Sequence, residues 1–283
     1  MNYILSIKET DLAELKEHYS NNLVETPEEH IYFMSKTTAV TVTGFVSGKV
    51  MFQGPIAESE YNGWREHFKS VIASIGSDEV GTGDFFGPIV VVSAYVNESQ
   101  VEELTKLGVG DSKTLTDKKI LLIGPKLVKL IKHKEVFLNN FYYNKLQKTG
   151  NNMNKIKALM HNRGLNELTK FVKCEKVILD QFASPENYWK YLKDEKTVFK
   201  NIIFETKAES KHLSVATASV LARYYFLKLW IRMDKEFGYT FLKGASNKVD
   251  ELAARIIREK GEEFLINVAK INFKTLQKAR LLN

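Results

Sequence analysis

The stretch Ser74-Ile75-Gly76-Ser77-Asp78-Glu79-Val80-Gly81-Thr82-Gly83-Asp84-Phe85-Phe86-Gly87-Pro88-Ile89-Val90-Val91-Val92 sets acidic residues and glycines between a short apolar run and a longer one. The short apolar run and the longer one, joined by a glycine-rich connection, read as two strands, with Asp78 and Glu79 closing the first. Further along, short β-branched runs alternate with helical patterns, which argues an α/β domain with helices packed on a central sheet. Strands are expected near 71–77, 87–96, 135–141, 176–180 and 201–205. Helices are expected near 99–107, 115–132, 152–172, 185–193, 210–236 and 248–268.

Two more of these segments end in acid. Asp180 closes Lys176-Val177-Ile178-Leu179, and Glu209 sits just past Asn201-Ile202-Ile203-Phe204-Glu205. Strand ends and the loops after them floor the ligand crevice of an α/β sheet, so Asp78, Glu79, Asp180 and Glu209 could meet in space. Taken singly, an acid at a strand end is more often a solvated turn residue or helix cap, and Glu209 could simply favour a helix N-terminus. The glycines shift the balance, because Gly81 and Gly83 allow a bound chain to approach the main chain closely.

Composition sets outer bounds. A chain of 283 residues, 44% hydrophobic, can bury one large core or a large and a small one. No run nears the roughly 18 apolar residues of a membrane span, and no secretory signal pattern opens the chain, so the cytoplasm is the expected compartment and no membrane partner is expected. The single cysteine, Cys174, rules out an internal disulfide and a cysteine cluster for zinc, leaving oxygen or nitrogen ligands for any metal. Residues 1–68 hold five Lys/Arg against ten Asp/Glu, while the remainder holds 36 against 24. The larger part is therefore basic, as suits a polyanion, though many proteins of other function are equally basic.

The first 55 residues read as a small α/β unit: a helix within 10–22, then strands, of which Ala39–Val46 alternates apolar residues with threonine. Ser47-Gly48 reads as a hairpin turn into Lys49–Gln53. The expected division is a small domain over 1–60, a linker over 61–70 and a large domain over 71–283.

Asp78-Glu79-Val80-Gly81-Thr82-Gly83-Asp84-Phe85-Phe86-Gly87-Pro88 resembles the signature of the type 2 ribonucleases H, and the whole chain resembles their bacterial ribonuclease HIII branch. Gly110-Asp111-Ser112-Lys113-Thr114-Leu115 and Leu179-Asp180-Gln181-Phe182 are similar to two further family blocks. Lys207-Ala208-Glu209-Ser210, followed by Ser214–Arg223, is similar to the fourth. Glu209, where the HII branch has aspartate, and threonine rather than arginine between Gly81 and Gly83 favour HIII. The resemblance covers roughly 70–235. It implies a ribonuclease H-like mixed central sheet flanked by helices. Before it would stand a small α/β domain resembling the TATA-box-binding protein fold and implicated in holding substrate, a weaker likeness carried by Ser47–Gly54 and by position.

The implied activity is endonucleolytic hydrolysis of the RNA strand of RNA/DNA hybrids. Four converging carboxylates need counter-charge, and all-oxygen ligation suits Mg2+ or Mn2+. The expected mechanism uses two such ions on Asp78, Glu79, Asp180 and Glu209 and leaves 5′-phosphate and 3′-hydroxyl ends. Main-chain groups at Gly81, Thr82 and Gly83 are expected to sense the 2′-hydroxyl that distinguishes RNA from DNA. Lys113 and Lys207 are candidates for phosphate contact or charge balance. Ser112, Asn152, Asn154 and the lysines of 145–157 are candidates for contact with the DNA strand. His161 and His212 are weaker candidates for proton transfer, and Asp84 reads as a turn residue. If the acidic N-terminal unit binds the hybrid, it must use a neutral face bearing Thr41, Thr43, Lys49 and Gln53, in a hairpin whose register the sequence leaves open. A monomer is the simpler expectation. The alternatives are a nuclease acting at a lone ribonucleotide in DNA and a silent nucleic-acid-binding module.

Overall fold

A computed structural model describes residues 2–26 and 28–282, except the side chains of residues 66, 69–72 and 111. The chain divides into two compact units, Met1–Ile72 and Ala73–Asn283.

The first unit is a five-stranded antiparallel sheet with helices on one face. In chain order it comprises β1 (Asn2–Ser6), α1 (Leu12–His18), β2 (Leu23–Val24), β3 (Ile31–Lys36), β4 (Thr41–Phe45), β5 (Lys49–Gln53) and α2 (Ala57–Ile72), with the sheet ordered β1-β5-β4-β3-β2. Alternation along the strands sends Leu5, Phe33, Val42, Val50 and Phe52 into one core with Leu12, Leu15, Ala57 and Phe68 from the helices. The linker expected over 61–70 is corrected: those residues lie inside α2, whose Phe68 is buried in this core. The turn signals at Gly54-Pro55 mark the start of that helix, and Asn62-Gly63 is carried within it, where one glycine costs only about 1 kcal/mol. The opening strand β1 was also missed, because a five-residue run at a chain end carries too little periodicity to register.

The second unit is a mixed sheet between helical layers. Its elements are β6 (Ser74–Val80), β7 (Ile89–Val96), α3 (Glu98–Leu107), α4 (Asp117–Leu130), β8 (Lys132–Leu138), α5 (Asn140–Lys148), α6 (Met153–Leu168), β9 (Val177–Asp180), α7 (Pro185–Tyr191), β10 (Ile203–Glu205), α8 (Leu213–Phe237), α9 (Asn247–Lys260), α10 (Leu265–Val268) and α11 (Lys274–Leu281). The order is β10-β9-β6-β7-β8; β6, β7 and β8 run antiparallel, while β6, β9 and β10 run parallel.

The central strand β7 explains the long apolar run of the opening stretch. Val90, Val92 and Ala94 pack into a core shared with α4 and α8, whereas Ile89 and Val91 pack with Tyr143, Ile156 and Met160 of α5 and α6. A strand buried on both faces needs no polar alternation. Against the other central strand, α8 begins in direct backbone contact, since a Cβ at Gly76 would lie 2.2 Å from the Val215 nitrogen. Two boundaries shift in ways that matter. β6 extends through Val80, so Asp78 and Glu79 lie within the strand rather than beyond it, and the helix expected over 248–268 is broken at Gly261 into α9 and α10. Among the described residues no helix is long and apolar enough to cross a membrane.

Candidate active site

The parallel trio β6, β9 and β10 brings three C-terminal strand ends to one edge of the sheet. Ser77 pairs with Leu179 and Glu205 with Asp180, so the side chains at 78 and 180 emerge at the same level. The chain then turns from β10 through Lys207, the lone non-glycine residue with positive φ among those described (φ 55°), into a short 3-10 turn, Ala208–Ser210, that carries Glu209. The Ala208 amide donates to Asp180 Oδ1 at 2.8 Å, tying this turn to β9.

Asp78, Glu79, Asp180 and Glu209 act on one another electrostatically. Burial is the main reason the Asp78 carboxyl is pushed up to about 7, with the charges of Glu79 and Asp180 adding to it and the Ser219 hydroxyl and the Glu79 amide opposing it. Asp180 is raised too, by burial first and then by Glu209 and Glu79, against the Ala208 amide. The other two carry counter-charge. Burial would raise Glu79, but His161 and Lys157 outweigh it and its carboxyl falls below the usual range. Glu209, 12% exposed, is likewise lowered by Lys113 despite its burial.

Helix α6 supplies the support beneath Glu79. Lys157 and His161 stand four residues apart on one helical face. The Lys157 ammonium pairs with Glu79 Oε1 and lies 4.0 Å from the centre of the Phe182 ring. The His161 ring is completely buried, with Nε2 3.0 Å from Glu79 Oε2 and Nδ1 2.8 Å from the Ser77 hydroxyl. Both expectations for this segment are thereby redirected. Lys157 serves a carboxylate rather than a DNA strand, and His161 is walled off from substrate. His212 is engaged too, 2.5 Å from Glu205. Asn152 spends its side-chain oxygen capping α6 through the Lys155 amide, while Asn154 is exposed.

The other expected residues fall as follows. Lys113, 66% exposed, reaches Glu209 Oε1. Ser112 is buried, which withdraws it from direct substrate contact; its carbonyl and that of Leu115 accept from the Arg223 guanidinium of α8, each at 3.1 Å. Of Asp111 only the backbone is described. Lys207 is exposed. Gly81 and Gly83 differ in kind: Gly81 is buried at φ 90° and a Cβ there would meet the Pro88 carbonyl at 2.2 Å, whereas a Cβ at Gly83 would meet nothing within 4 Å. The first glycine is required by the fold, and the second leaves room beside an exposed main chain. Asp84 is more than a turn residue, since its Oδ1 accepts from the Gly244 amide at 2.5 Å.

Among the described residues no group of three or more His, Cys, Asp and Glu side chains is gathered in metal-holding geometry. The donor set nevertheless fits a hard divalent cation. The donor atoms are carboxylate oxygens, Glu209 Oε2 is buried with no hydrogen-bond partner, and burial together with the charge of Glu79 pushes the Asp78 carboxyl up to about 7. Lys113 and Lys157 stand as the positive charges at Glu209 and Glu79.

The chain has relatives among known proteins. Residues 75–276 match the family model described as Ribonuclease HII, and residues 2–74 match one described as a domain of unknown function (DUF3378). A protein of Bacillus cereus (strain AH187) named Ribonuclease HIII is 41% identical over 306 aligned positions, covering 99% of this chain and 98% of its own. The chain belongs to the ribonuclease HIII family. It is accordingly a ribonuclease. A ribonuclease HIII of Bacillus thuringiensis subsp. konkukian is 42% identical with the same coverage. The crystal structure of Bst-RNase HIII in complex with Mn2+ superposes with a TM-score of 0.73 at 38% identity, covering 100% of this chain and 99% of that one. Aquifex aeolicus RNase H3, 24% identical with a TM-score of 0.60 over 95% of this chain and 99% of its own, shares the fold.

Proposed function

We propose that this ribonuclease cuts the RNA strand of RNA/DNA hybrids internally, leaving 5′-phosphate and 3′-hydroxyl ends. In this reading Asp78, Glu79, Asp180 and Glu209 hold two Mg2+ or Mn2+ ions. The observation that carries it is that three separate segments bring Asp78, Glu79, Asp180 and Glu209 to one sheet edge, where Asp180 acts on Asp78 and is itself acted on by Glu79 and Glu209. The Mn2+ complex of Bst-RNase HIII supports the choice of metal. Bound there, divalent ions supply Lewis acidity and counter-charge at the scissile phosphate.

The chain's own residues do the rest. His161 and Lys157 fix Glu79 from beneath, the Ala208 amide fixes Asp180, and β6 fixes Asp78 through its ladders to both neighbours. Lys113, long and largely exposed, neutralises Glu209 until substrate arrives and can then turn to a phosphate oxygen. Gly83 is exposed and Thr82 half-buried just past the acids of β6, where a ribose could come within hydrogen-bonding distance of their main chain and declare its 2′-hydroxyl.

The sheet of the N-terminal unit has the chemistry to hold the duplex. Thr41 pairs with Gln53 and Thr43 with Met51, which puts Thr41, Lys49, Met51 and Gln53 on the face that the helices leave uncovered, joined by Lys36 opposite Thr41; Thr43, on the same side, is buried, which withdraws it from the expected contact set. None of the ten acids of residues 1–68 lies on a strand. The acidic surplus sits on helices and loops, and the open face is neutral to basic. We further read the protein as cytoplasmic, in keeping with a single, unpaired cysteine, and as a monomer.

The test is a substrate panel: end-labelled RNA/DNA hybrid, duplex DNA with one ribonucleotide, and plain duplex DNA, each with Mg2+, Mn2+ or EDTA. Metal-dependent cuts within the RNA of the hybrid, with ends that a ligase accepts, are expected. Intact hybrid, or cutting that EDTA leaves unchanged, contradicts the proposal, and preferential cutting at the lone ribonucleotide favours the HII-type activity instead.

A further inference from the structure

The connection Gly81–Pro88 joins β6 to β7 with only a single antiparallel bridge, Phe86 to Ala269, so its other backbone groups must find partners elsewhere. Most of them lie on residues 268–270. The Phe85 amide donates to the Gly244 carbonyl at 2.9 Å, the Gly87 amide to Val268 at 2.9 Å, and the Lys270 amide to Phe85 at 2.8 Å. Within residues 84–87 three carbonyls remain, those of Asp84, Phe86 and Gly87. All three face the ammonium of Lys270, at 2.8, 3.4 and 2.6 Å. Gly87 also accepts from the Asn140 side chain at 2.9 Å.

Lys270 has no exposed surface and, among the described residues, no carboxylate within ion-pair distance. A buried, unpaired charge is costly, and a position that merely fills space is better served by leucine or methionine. An ammonium offers what those cannot: three hydrogens for three carbonyl oxygens. Burial pushes the group down to about 7, against which the Asp84 charge acts. The segment carrying Lys270 is anchored in turn, because Asn144 of α5 donates to the Ile266 and Ala269 carbonyls at 3.0 and 2.8 Å and accepts from the Ile271 amide at 3.1 Å.

We infer that Lys270 is a positioning residue for substrate recognition, whose buried ammonium clamps residues 84–87 and thereby sets how the adjoining Thr82–Gly83 main chain is presented to the ribose. The inference rests on the reading of the glycine motif as the sugar-sensing segment. It separates binding from chemistry. Asp78 and Glu79 are registered against Val92 and Val91, and β6 is paired on its other side with β9, so the acids keep their places when the clamp is lost. Asp180 and Glu209 have no contact with it. The effect therefore falls on KM.

Four full-length proteins decide it: wild type, Gly83→Ala, Lys270→Met and Lys270→Gln, each checked for folding by circular dichroism and assayed for kcat and KM on an RNA/DNA hybrid. Gly83→Ala, which has room for its methyl, should raise KM. Lys270→Met should raise KM by roughly tenfold with kcat within about threefold, as expected when binding geometry rather than the reacting groups is disturbed. Lys270→Gln, which retains two donors on a shorter stem, should fall between Lys270→Met and wild type, and it carries the test if Lys270→Met does not fold. A raised KM in Gly83→Ala with wild-type KM in a folded Lys270 variant overturns the inference. So does a Lys270 variant that loses thermal stability and kcat while KM stays put. A Gly83→Ala enzyme with unaltered KM instead overturns the sugar-sensing reading on which the inference stands.

Discussion

Asp78 is the residue at which function and stability are most plainly opposed. Its carboxyl is raised from 3.8 to about 7, so without metal the folded state holds a proton that the unfolded chain would release. The folded protein thus binds more protons between about pH 4 and 7, and stability falls as pH rises through that window. At pH 8 without metal, Asp78→Asn should melt a few degrees above wild type, a difference on the order of 1–3 kcal/mol. At pH 5, inside the window but near its acid end, the gap should be smaller than at pH 8. Mn2+ should reverse the order at pH 8 by stabilising the wild type alone. Thermal melts across the four conditions check this, and a variant less stable than wild type in metal-free buffer at pH 8 would refute it. Glu79 cannot show the same effect, because Lys157 and His161 already hold it ionised.

At the scale of elements, what was legible followed from how far each signal reaches along the chain. The β6–β7 pair could be read from two apolar runs and a glycine connection, and the four acids from their recurrence at strand ends. The partners of those acids could not, since Lys157 and His161 lie about 80 residues from Glu79 and their i, i+4 spacing on α6 looks like any polar pair on a helix. The clamp from Lys270 to residues 84–87 spans more than 180 residues and leaves no local trace. Helix α2 reads as a linker in sequence because its glycine and charges resemble a loop, and only its packing against β1 and β5 makes it an element. The hairpin β4–β5 was visible in sequence but its register was not. The observed pairing puts Thr41 beside Gln53 on the uncovered face, so Thr41→Glu combined with Gln53→Glu should repel a duplex without disturbing the core. KM for the hybrid should rise roughly tenfold, about 1.4 kcal/mol of binding, with kcat within about twofold. The rise should steepen as salt is lowered. An unchanged KM would show that this face does not hold the substrate.

Across the whole molecule, charge is sorted by role. The larger unit carries the basic surplus along with the four carboxylates, while the smaller keeps its acids on helices and loops rather than on its strands. In both units a continuous apolar core fixes strands whose functional side chains emerge at an end or on an uncovered face, which lets chemistry and packing be specified by different residues of the same strand. The central claim is that Asp78, Glu79, Asp180 and Glu209 form one metal-dependent cutting site. The most direct measurement is single-turnover cleavage of a labelled RNA/DNA hybrid in saturating Mn2+ by wild type and by Asp78→Asn, Glu79→Gln, Asp180→Asn and Glu209→Gln, each shown to be folded. The account predicts a loss of at least about a hundredfold in each variant, since each removes a charge from the set that stabilises the reacting phosphate. Wild-type rates in a folded Asp78→Asn or Asp180→Asn protein would contradict it.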